Sequence, residues 1–131
     1  ERLGTGPNLV VVCPVLNFTC SKNEGGVFGF GQGQRGLFVF LSLGAMAAIC
    51  WLLLRSDMGW LGAAAMGLIL GGAIGNLYDR IALGYVRDFI DFHIGNWHWY
   101  TFNVADALIC IGVVPLMLKV LWQEKGAGKE A

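Results

Sequence analysis

Three long apolar runs, separated by short polar stretches, dominate the pattern of the chain. Residues 36–54 and residues 58–78 carry no charge, and residues 102–122 form a third apolar run whose charged residues are Asp106 and Lys119. A membrane-spanning helix needs roughly 20 consecutive, mostly apolar residues. The pattern therefore predicts three transmembrane helices.

The stretches outside these runs predict less regular structure. Residues 1–35 contain two short strand-like runs, at 9–12 and 15–19, and then a glycine-rich segment that favours turns. This combination predicts a small sheet or curved hairpin on the membrane surface. Residues 123–131 are predicted to be a short polar tail.

Residues 79–100 are predicted to form a mixed loop. Within it, residues 86–94 are expected to be a short amphipathic piece lying on the membrane, and Trp97, Trp99 and Tyr100 resemble an aromatic belt at the interface. Three spans place residues 1–35 and residues 79–100 on the same side of the membrane. The distribution of Lys and Arg does not decide which side this is.

Small residues recur every four positions along the second run, at Gly59, Ala63, Gly67, Gly71 and Gly75. Small side chains on one face of a membrane helix allow a neighbouring helix to approach closely. The spacing therefore predicts that this face packs against another helix.

The composition agrees with a membrane protein and limits the other possibilities. Of 131 residues, 56% are hydrophobic, whereas soluble domains contain about 45–50% apolar residues. The length suggests a single domain, and a net charge of zero gives no reason to expect a nucleic-acid partner. The chain has no CxxC motif or His/Cys cluster, so a metal site is not expected. Cys13 and Cys20 are either free thiols or a disulfide.

Two aspartates at the edges of the runs are candidates for chemistry. Asp88 lies in the loop, and Asp106 lies about one turn into the third run. Carboxylates at a membrane boundary are costly, which makes function the default hypothesis. If the loop folds back, the pair shares a proton, and one carboxyl group takes a proton from water while the other donates one. Alternatively, Asp88 is solvated and Asp106 interacts with the helix dipole.

Other polar residues near the ends of the runs need partners. Asp79 and Arg80 are expected either to pair with each other or to contact loop carbonyls, and Arg80 could also orient the loop or a substrate carbonyl. Asn76 has to satisfy its amide at the membrane edge, and it is predicted to bond across to a neighbouring helix or loop. Asn103 lies three residues before Asp106 and is predicted to cap the third helix.

Four short motifs resemble those of one family, the lipoprotein signal peptidases (signal peptidase II). They are NEGGVF at residues 23–28, GNLYDR at 75–80, VRDF at 86–89 and FNVAD at 102–106. The first is similar to the family's N-x-G-x-x-F segment. The resemblance covers roughly residues 9–122, and the order and spacing of the motifs make it specific.

The resemblance implies an intramembrane aspartic protease of the bacterial inner membrane that needs no metal or cofactor. Such enzymes cleave signal peptides from prolipoproteins, just before a cysteine that carries diacylglycerol, so the implied partners are lipid-modified signal peptides and membrane lipid. The implied catalytic pair is Asp88 and Asp106. The site-supporting positions implied by the motifs are Asn23, Gly25, Asn76, Arg80 and Asn103, and the structural ones are Gly75, Asp79 and Ala105.

The resemblance also implies a fold. The family has four transmembrane helices, a small sheet likened to a cradle on the extracytoplasmic face, and a mobile element over the site between the last two spans. The active site is therefore expected near that face. The family's first helix, which carries an Asp and a Lys, is not found in this chain. Because the chain starts at Glu1 rather than Met, we expect that an N-terminal segment is missing.

A rival hypothesis is a membrane protein without catalytic activity. It would be an inactive or truncated relative that binds lipidated signal peptides without cleaving them, or a subunit in which Asp106 and Arg80 serve assembly or ion passage. Binding of substrate without product would support this hypothesis. A transporter is disfavoured, because three spans show no inverted repeat.

Overall fold

Three long helices and a small sheet make up the described part of the chain. The computed structural model describes residues 15–26, 30–95 and 97–127, without the side chains of residues 98 and 123–127. The elements in chain order are β1 (Leu16–Asn23), α1 (Arg35–Arg55), α2 (Gly59–Ala82), β2 (Val86–Ile94), β3 (Trp97–His98) and α3 (Val104–Ala127). Within those residues, three helices are long and apolar enough to cross a membrane, as the sequence predicts.

The helix ends differ from the predicted ones where polar residues find partners. Helix α2 continues to Ala82, about one turn beyond the predicted end at Tyr78, and its last turns include the buried residues Asp79 and Arg80. Helix α3 begins at Val104 rather than at 102. It also continues to Ala127, so the first part of the predicted polar tail is helical.

The sheet joins two stretches that are distant in sequence. Strand β2 pairs antiparallel with β1 on one side and with β3 on the other. The prediction that residues 79–100 form a mixed loop is therefore wrong for residues 86–94, which form a strand. These residues alternate between buried and exposed at the start of the strand, which is the period of a strand with one covered face.

The pairing of β1 with β2 confirms the predicted small sheet near the N-terminus, and it places Leu16–Asn23 on the same side as β2. The strand-like run at 9–12 and the cysteine Cys13 lie outside the described residues. The two alternatives for Cys13 and Cys20, free thiols or a disulfide, therefore both stand.

Helix α2 packs against both other helices and most extensively against α3. The closest approaches are at Gly72, where an added Cβ would collide with the carbonyl of Ala105, and at Gly112, where it would lie 2.5 Å from the carbonyl of Ala65. Each glycine therefore allows one helix to touch the backbone of the other.

The predicted packing face at every fourth residue is largely wrong. An added Cβ at Gly59, Gly67 or Gly71 would meet open space, and only Gly75 lies against α3, 3.2 Å from the Cβ of Ala105. With 3.6 residues per turn, a spacing of four drifts by about 40° at each step. The small residues therefore wind around the helix rather than lining one face.

Candidate active site

A glycine turn brings β2 back over the end of α2. The backbone N–H groups of Leu83 and Gly84 donate to the carbonyls of Asp79 and Arg80, at 2.8 and 3.2 Å, and Gly84 has a φ of +89°. A left-handed glycine after the last turn is a common way to end a helix. Strand β2 starts two residues later, so its first residues lie beside the last turn of α2.

The segment before α3 is attached to the same strand. The carbonyl of Phe102 accepts from the N–H groups of Phe89 and Ile90 at 3.0 and 2.8 Å, and the N–H of Phe102 donates to Ile90 at 3.0 Å. These bonds hold the start of α3 against β2. As a result, Asn103 lies beside Asp88.

Asparagine side chains connect the two candidate carboxyl groups. Asn103 Nδ2 donates to Asp88 at 2.8 Å and to Asn76 Oδ1 at 3.1 Å, and Asn76 Nδ2 donates to Asp106 at 2.8 Å. Asn23 Nδ2 donates to the other oxygen of Asp88 at 3.0 Å. A continuous chain of hydrogen bonds thus runs from Asp88 to Asp106, so the condition that the loop folds back toward Asp106 is met.

Asn103 also caps α3, as predicted. The backbone N–H of Asp106 donates to Asn103 Oδ1 at 3.0 Å, and the backbone N–H of Asn103 donates to the Asp106 carboxylate at 3.2 Å. This reciprocal pair is a capping box in which Asp replaces the usual Glu. The cap fixes the direction of the Asp106 side chain at the first turn of the helix.

Burial sets the electrostatics of Asp88. This residue is only 2% exposed, and burial raises the pKa of its carboxyl group, because a low-dielectric surrounding disfavours the charged form. The hydrogen bonds from Asn23 and Asn103 act in the opposite direction, and the negative charge of Asp106 adds to the rise. The protonated form of Asp88 is therefore favoured more than in an exposed aspartate.

Arg80 is buried beside the carboxyl groups and binds backbone carbonyls. Its guanidinium donates to the carbonyl of Asn76 at 3.2 Å and to that of Gly25 at 2.9 Å, and it lies 5.3 Å from the centre of the Phe38 ring. This confirms the predicted contact of Arg80 with a loop carbonyl. The guanidinium connects the end of α2 to the turn after β1.

The turn after β1 has no space for a side chain at Gly25. A Cβ there would collide with the carbonyl of Phe30, and the N–H of Gly25 donates to Asn23 Oδ1 at 3.0 Å. This turn holds Asn23, which then reaches Asp88. Gly25 therefore supports the site through its small size.

Asp79 is paired with Arg87 and not with Arg80. Arg87 Nη2 and Nε donate to the Asp79 carboxylate at 2.8 and 3.1 Å, and the backbone N–H of Arg87 donates to it at 3.1 Å. Sequence reasoning missed Arg87 as a partner. Its only signal is the glycine turn between positions 79 and 87, which reverses the chain.

Most of the predicted site residues are brought together. Asn23, Asn76, Asp88, Asn103 and Asp106 form the hydrogen-bonded cluster, and Gly25 and Arg80 border it. Gly75 and Ala105 lie at the contact of α2 with α3. Among the described residues, no group of three or more His, Cys, Asp and Glu side chains is arranged to hold a metal ion.

A cleft of about 390 Å³ opens beside this cluster. Its lining includes Asn76 and Asn103 from the cluster, the small residues Gly75 and Ala105, and the aromatic ring of Phe89. The cleft therefore gives access to the amides that bridge the carboxyl groups, and part of its wall is apolar.

The fold and the cluster define a class of protein: a multi-pass membrane protein with two amide-bridged carboxyl groups at one end of its helices. A family model described as signal peptidase (SPase) II matches residues 2–122. The chain therefore belongs to the signal peptidase II family, which is a family of peptidases.

Individual relatives agree with this assignment. The chain is 45% identical over 118 residues to a lipoprotein signal peptidase of Burkholderia mallei (strain SAVP1), which covers 87% of this chain and 71% of the relative. It is 44% identical over 126 residues to a lipoprotein signal peptidase of Polynucleobacter necessarius, which covers 92% and 75% of the two chains.

Two solved structures, both described as bacterial membrane enzymes, have the same fold. One is superimposed with a TM-score of 0.85 at 27% identity and covers 94% of this chain and 76% of its own. The other has a TM-score of 0.79 at 28% identity and covers 91% and 77%.

Proposed function

We propose that this chain is an aspartic endopeptidase that removes signal peptides from diacylglyceryl-modified prolipoproteins and cleaves just before the lipidated cysteine. It acts in the bacterial inner membrane, with its site near the extracytoplasmic face. Membership of the signal peptidase II family and the names of the curated relatives support the substrate class.

One observation carries the proposed mechanism: Asp88 and Asp106 are joined through the side chains of Asn103 and Asn76. Each of the four carboxyl oxygens accepts one hydrogen bond from an amide N–H within this cluster. Neutral amide donors hold both groups in place, and the nearby counter-charge is the Arg80 guanidinium. Two carboxyl groups held in one cluster in this way can share one proton.

Burial divides the roles within the pair. Asp88 is almost fully buried and carries the shared proton, whereas Asp106 is half-buried and is the base. Asp106 takes a proton from water while the water oxygen bonds to the scissile carbonyl carbon, and Asp88 gives its proton to the carbonyl oxygen. The resulting diol then breaks its C–N bond as Asp106 passes its proton to the leaving nitrogen and a diol hydroxyl returns a proton to Asp88. The products are a carboxylic acid and the free amine of the lipidated cysteine.

The cleft beside the cluster suits an extended peptide that enters from the membrane. Gly75 and Ala105 leave room for the peptide backbone, and Phe89 provides an apolar wall. The substrate's lipid chains would then lie against the apolar surfaces of the helices, where most large hydrophobic side chains are exposed. Lipid and peptide would thus approach from the same side.

The test is cleavage of a lipidated prolipoprotein by the purified chain in detergent. Asp88→Asn and Asp106→Asn should each lower turnover by about 10²–10⁴-fold, which is the usual contribution of a general acid or base. Near-normal turnover in either variant would contradict the assignment of the pair.

A matched control is Asp91→Asn on the same strand. Asp91 lies three residues beyond Asp88, and an odd separation places the two side chains on opposite faces of a strand. We expect the turnover of the Asp91→Asn variant to stay close to that of the unaltered chain. Binding of substrate by the unaltered chain without any product would contradict the peptidase proposal itself.

A further inference from the structure

The bonds between Asp79 and Arg87 connect the end of α2 to the residue directly before Asp88. The guanidinium makes two parallel bonds to the carboxylate, at 2.8 and 3.1 Å, and the backbone N–H makes a third at 3.1 Å. A bidentate pair of this kind fixes orientation as well as distance. Because both the side chain and the backbone of Arg87 are held, the peptide that leads into Asp88 is held too.

The sheet is irregular at this place. Ser21 of β1 is paired with Asp88 and Phe18 with Ile90, so two residues of β1 lie opposite Phe89 alone. Such a bulge disrupts the ladder of hydrogen bonds and bends the strand. The ladder therefore holds β2 less firmly next to Asp88 than a regular strand pair would.

We propose that Arg87 is a positioning residue, which together with Asp79 clamps β2 to α2 and so sets the position of the Asp88 carboxyl group. This inference rests on the proposed role of Asp88 in catalysis. Arg87 acts through Asp88 and is not itself a catalytic residue. The bonds between Asp79 and Arg87 thus support β2 from α2, where its irregular pairing with β1 supports it less.

The surroundings of the pair distinguish it from an ordinary surface ion pair. The Arg87 side chain is 59% exposed, but that of Asp79 is only 12% exposed. An exposed ion pair adds about 0–1 kcal/mol to stability, and the exposed Arg87 end limits what this pair contributes to folding. Its effect should appear in the chemical step, because small errors in the placement of a reacting group are costly.

The test compares Arg87→Ala, Arg87→Lys, Asp79→Asn and the double variant in cleavage of a lipidated prolipoprotein. Arg87→Ala should lower kcat by about tenfold because the acid is misplaced, whereas the loss of a side chain that merely lines the cleft would act mainly on KM. Arg87→Lys should recover part of the loss. The Arg87→Ala/Asp79→Asn double variant should lose no more than the more damaging single substitution, because the two residues act as one unit.

The matched control is Lys22→Ala. Lys22 lies opposite Arg87 in the register of β1 with β2, and its ammonium lies 4.7 Å from the centre of the Tyr85 ring. The Lys22→Ala substitution removes a positive charge from the same part of the sheet but leaves the bonds between Asp79 and Arg87 in place. The proposal would be overturned if Arg87→Ala lowered kcat no more than Lys22→Ala does. It would also be overturned if the losses of Arg87→Ala and Asp79→Asn added up in the double variant.

Amide hydrogen exchange separates the clamp from the proposed function. In Arg87→Ala the backbone amides of residues 86–89 should exchange faster, whereas in Lys22→Ala they should not. If the unaltered chain cleaves no substrate, the proposed function fails, and this measurement still decides whether the clamp exists. Unchanged exchange in Arg87→Ala would overturn the clamp even in an active enzyme.

Discussion

Helix α1 and the sheet-side end of α2 differ in the residues they bury. Among its 21 residues, α1 buries only Ile49, and Leu54 is 85% exposed. The last seven residues of α2 bury Asn76, Leu77, Asp79 and Arg80. Apolar side chains thus face outward along α1, whereas polar side chains are buried at the end of α2.

This difference follows from the solvent. A hydrocarbon surrounding does not penalise an exposed Leu, whereas a polar group held away from water needs a hydrogen-bond partner. In the described part of the chain, every buried side-chain nitrogen and oxygen has one. Tolerance to substitution should therefore be high along the outer helix surfaces and low at the sheet end, and the following experiments test that contrast.

The largest effect is expected for Asn103→Ala. This substitution removes the bond to Asp88, the bond to Asn76 and the side-chain half of the α3 cap. Each buried polar group that loses its partner costs about 1–3 kcal/mol, and turnover of a lipidated prolipoprotein should fall by about 10²-fold. Steady-state kinetics and thermal unfolding in detergent measure both consequences.

The control is Asn17→Ala in the same sheet. Asn17 is half-buried, its amide lies 3.5 Å from a ring nitrogen of His93, and the strand register pairs it with Asp91 rather than with Asp88. Its turnover should be close to that of the unaltered chain. Equal losses in the two variants would mean that the network around Asn103 has no special part in the reaction.

The next effect is expected at the contact of α2 with α3. In Gly72→Ala the new methyl group would meet the carbonyl of Ala105 and lie 2.7 Å from Ile109 Cγ1, so the helices must move apart. Overpacking of this kind costs about 1–3 kcal/mol. The neighbouring substitution Gly71→Ala points into open space and is the matched control. Similar unfolding temperatures for both would contradict the packing seen here.

These two adjacent glycines also show what the sequence could predict. Apolar length was sufficient for the number of helices, because a span requires little more than a long enough uncharged run. The face that packs was not predictable from small residues alone, since Gly71 and Gly72 differ only in direction. Which of the two glycines faces a neighbouring helix depends on the position of α3, and the sequence of α2 alone does not predict that position.

In the site, too, some interactions were predictable from the sequence and others were not. The cap of Asn103 on Asp106 was predictable because it acts within one helical turn. The pairing of Asp79 with Arg87 was not, because it depends on a chain reversal at Gly84 and on a strand that the sequence analysis interpreted as a loop. Local interactions could be predicted from spacing, and interactions across the turn required the fold.

A smaller effect is expected in the pH dependence of stability. Burial raises the pKa of Asp88 above that of an unfolded aspartate, about 3.9, so the native state binds this proton more tightly than the unfolded state does. The contribution of Asp88 is fully present below the unfolded pKa and is lost as pH rises through the folded pKa. Asp88→Asn cannot titrate, so its unfolding temperature relative to the unaltered chain should rise with pH. A constant or falling difference would contradict this.

The smallest effect is expected on the outer surface of α1. Leu54→Ala removes a side chain that is 85% exposed, so it leaves no cavity inside the protein, and the free energy of unfolding should change by less than about 0.5 kcal/mol. The matched control is Leu77→Ala in α2, where the side chain is 7% exposed and truncation should cost about 2–5 kcal/mol. Thermal or denaturant unfolding in one detergent compares them. A large loss for Leu54→Ala would mean that this face of α1 contacts protein, and the contrast between helix surface and sheet end would then not hold there.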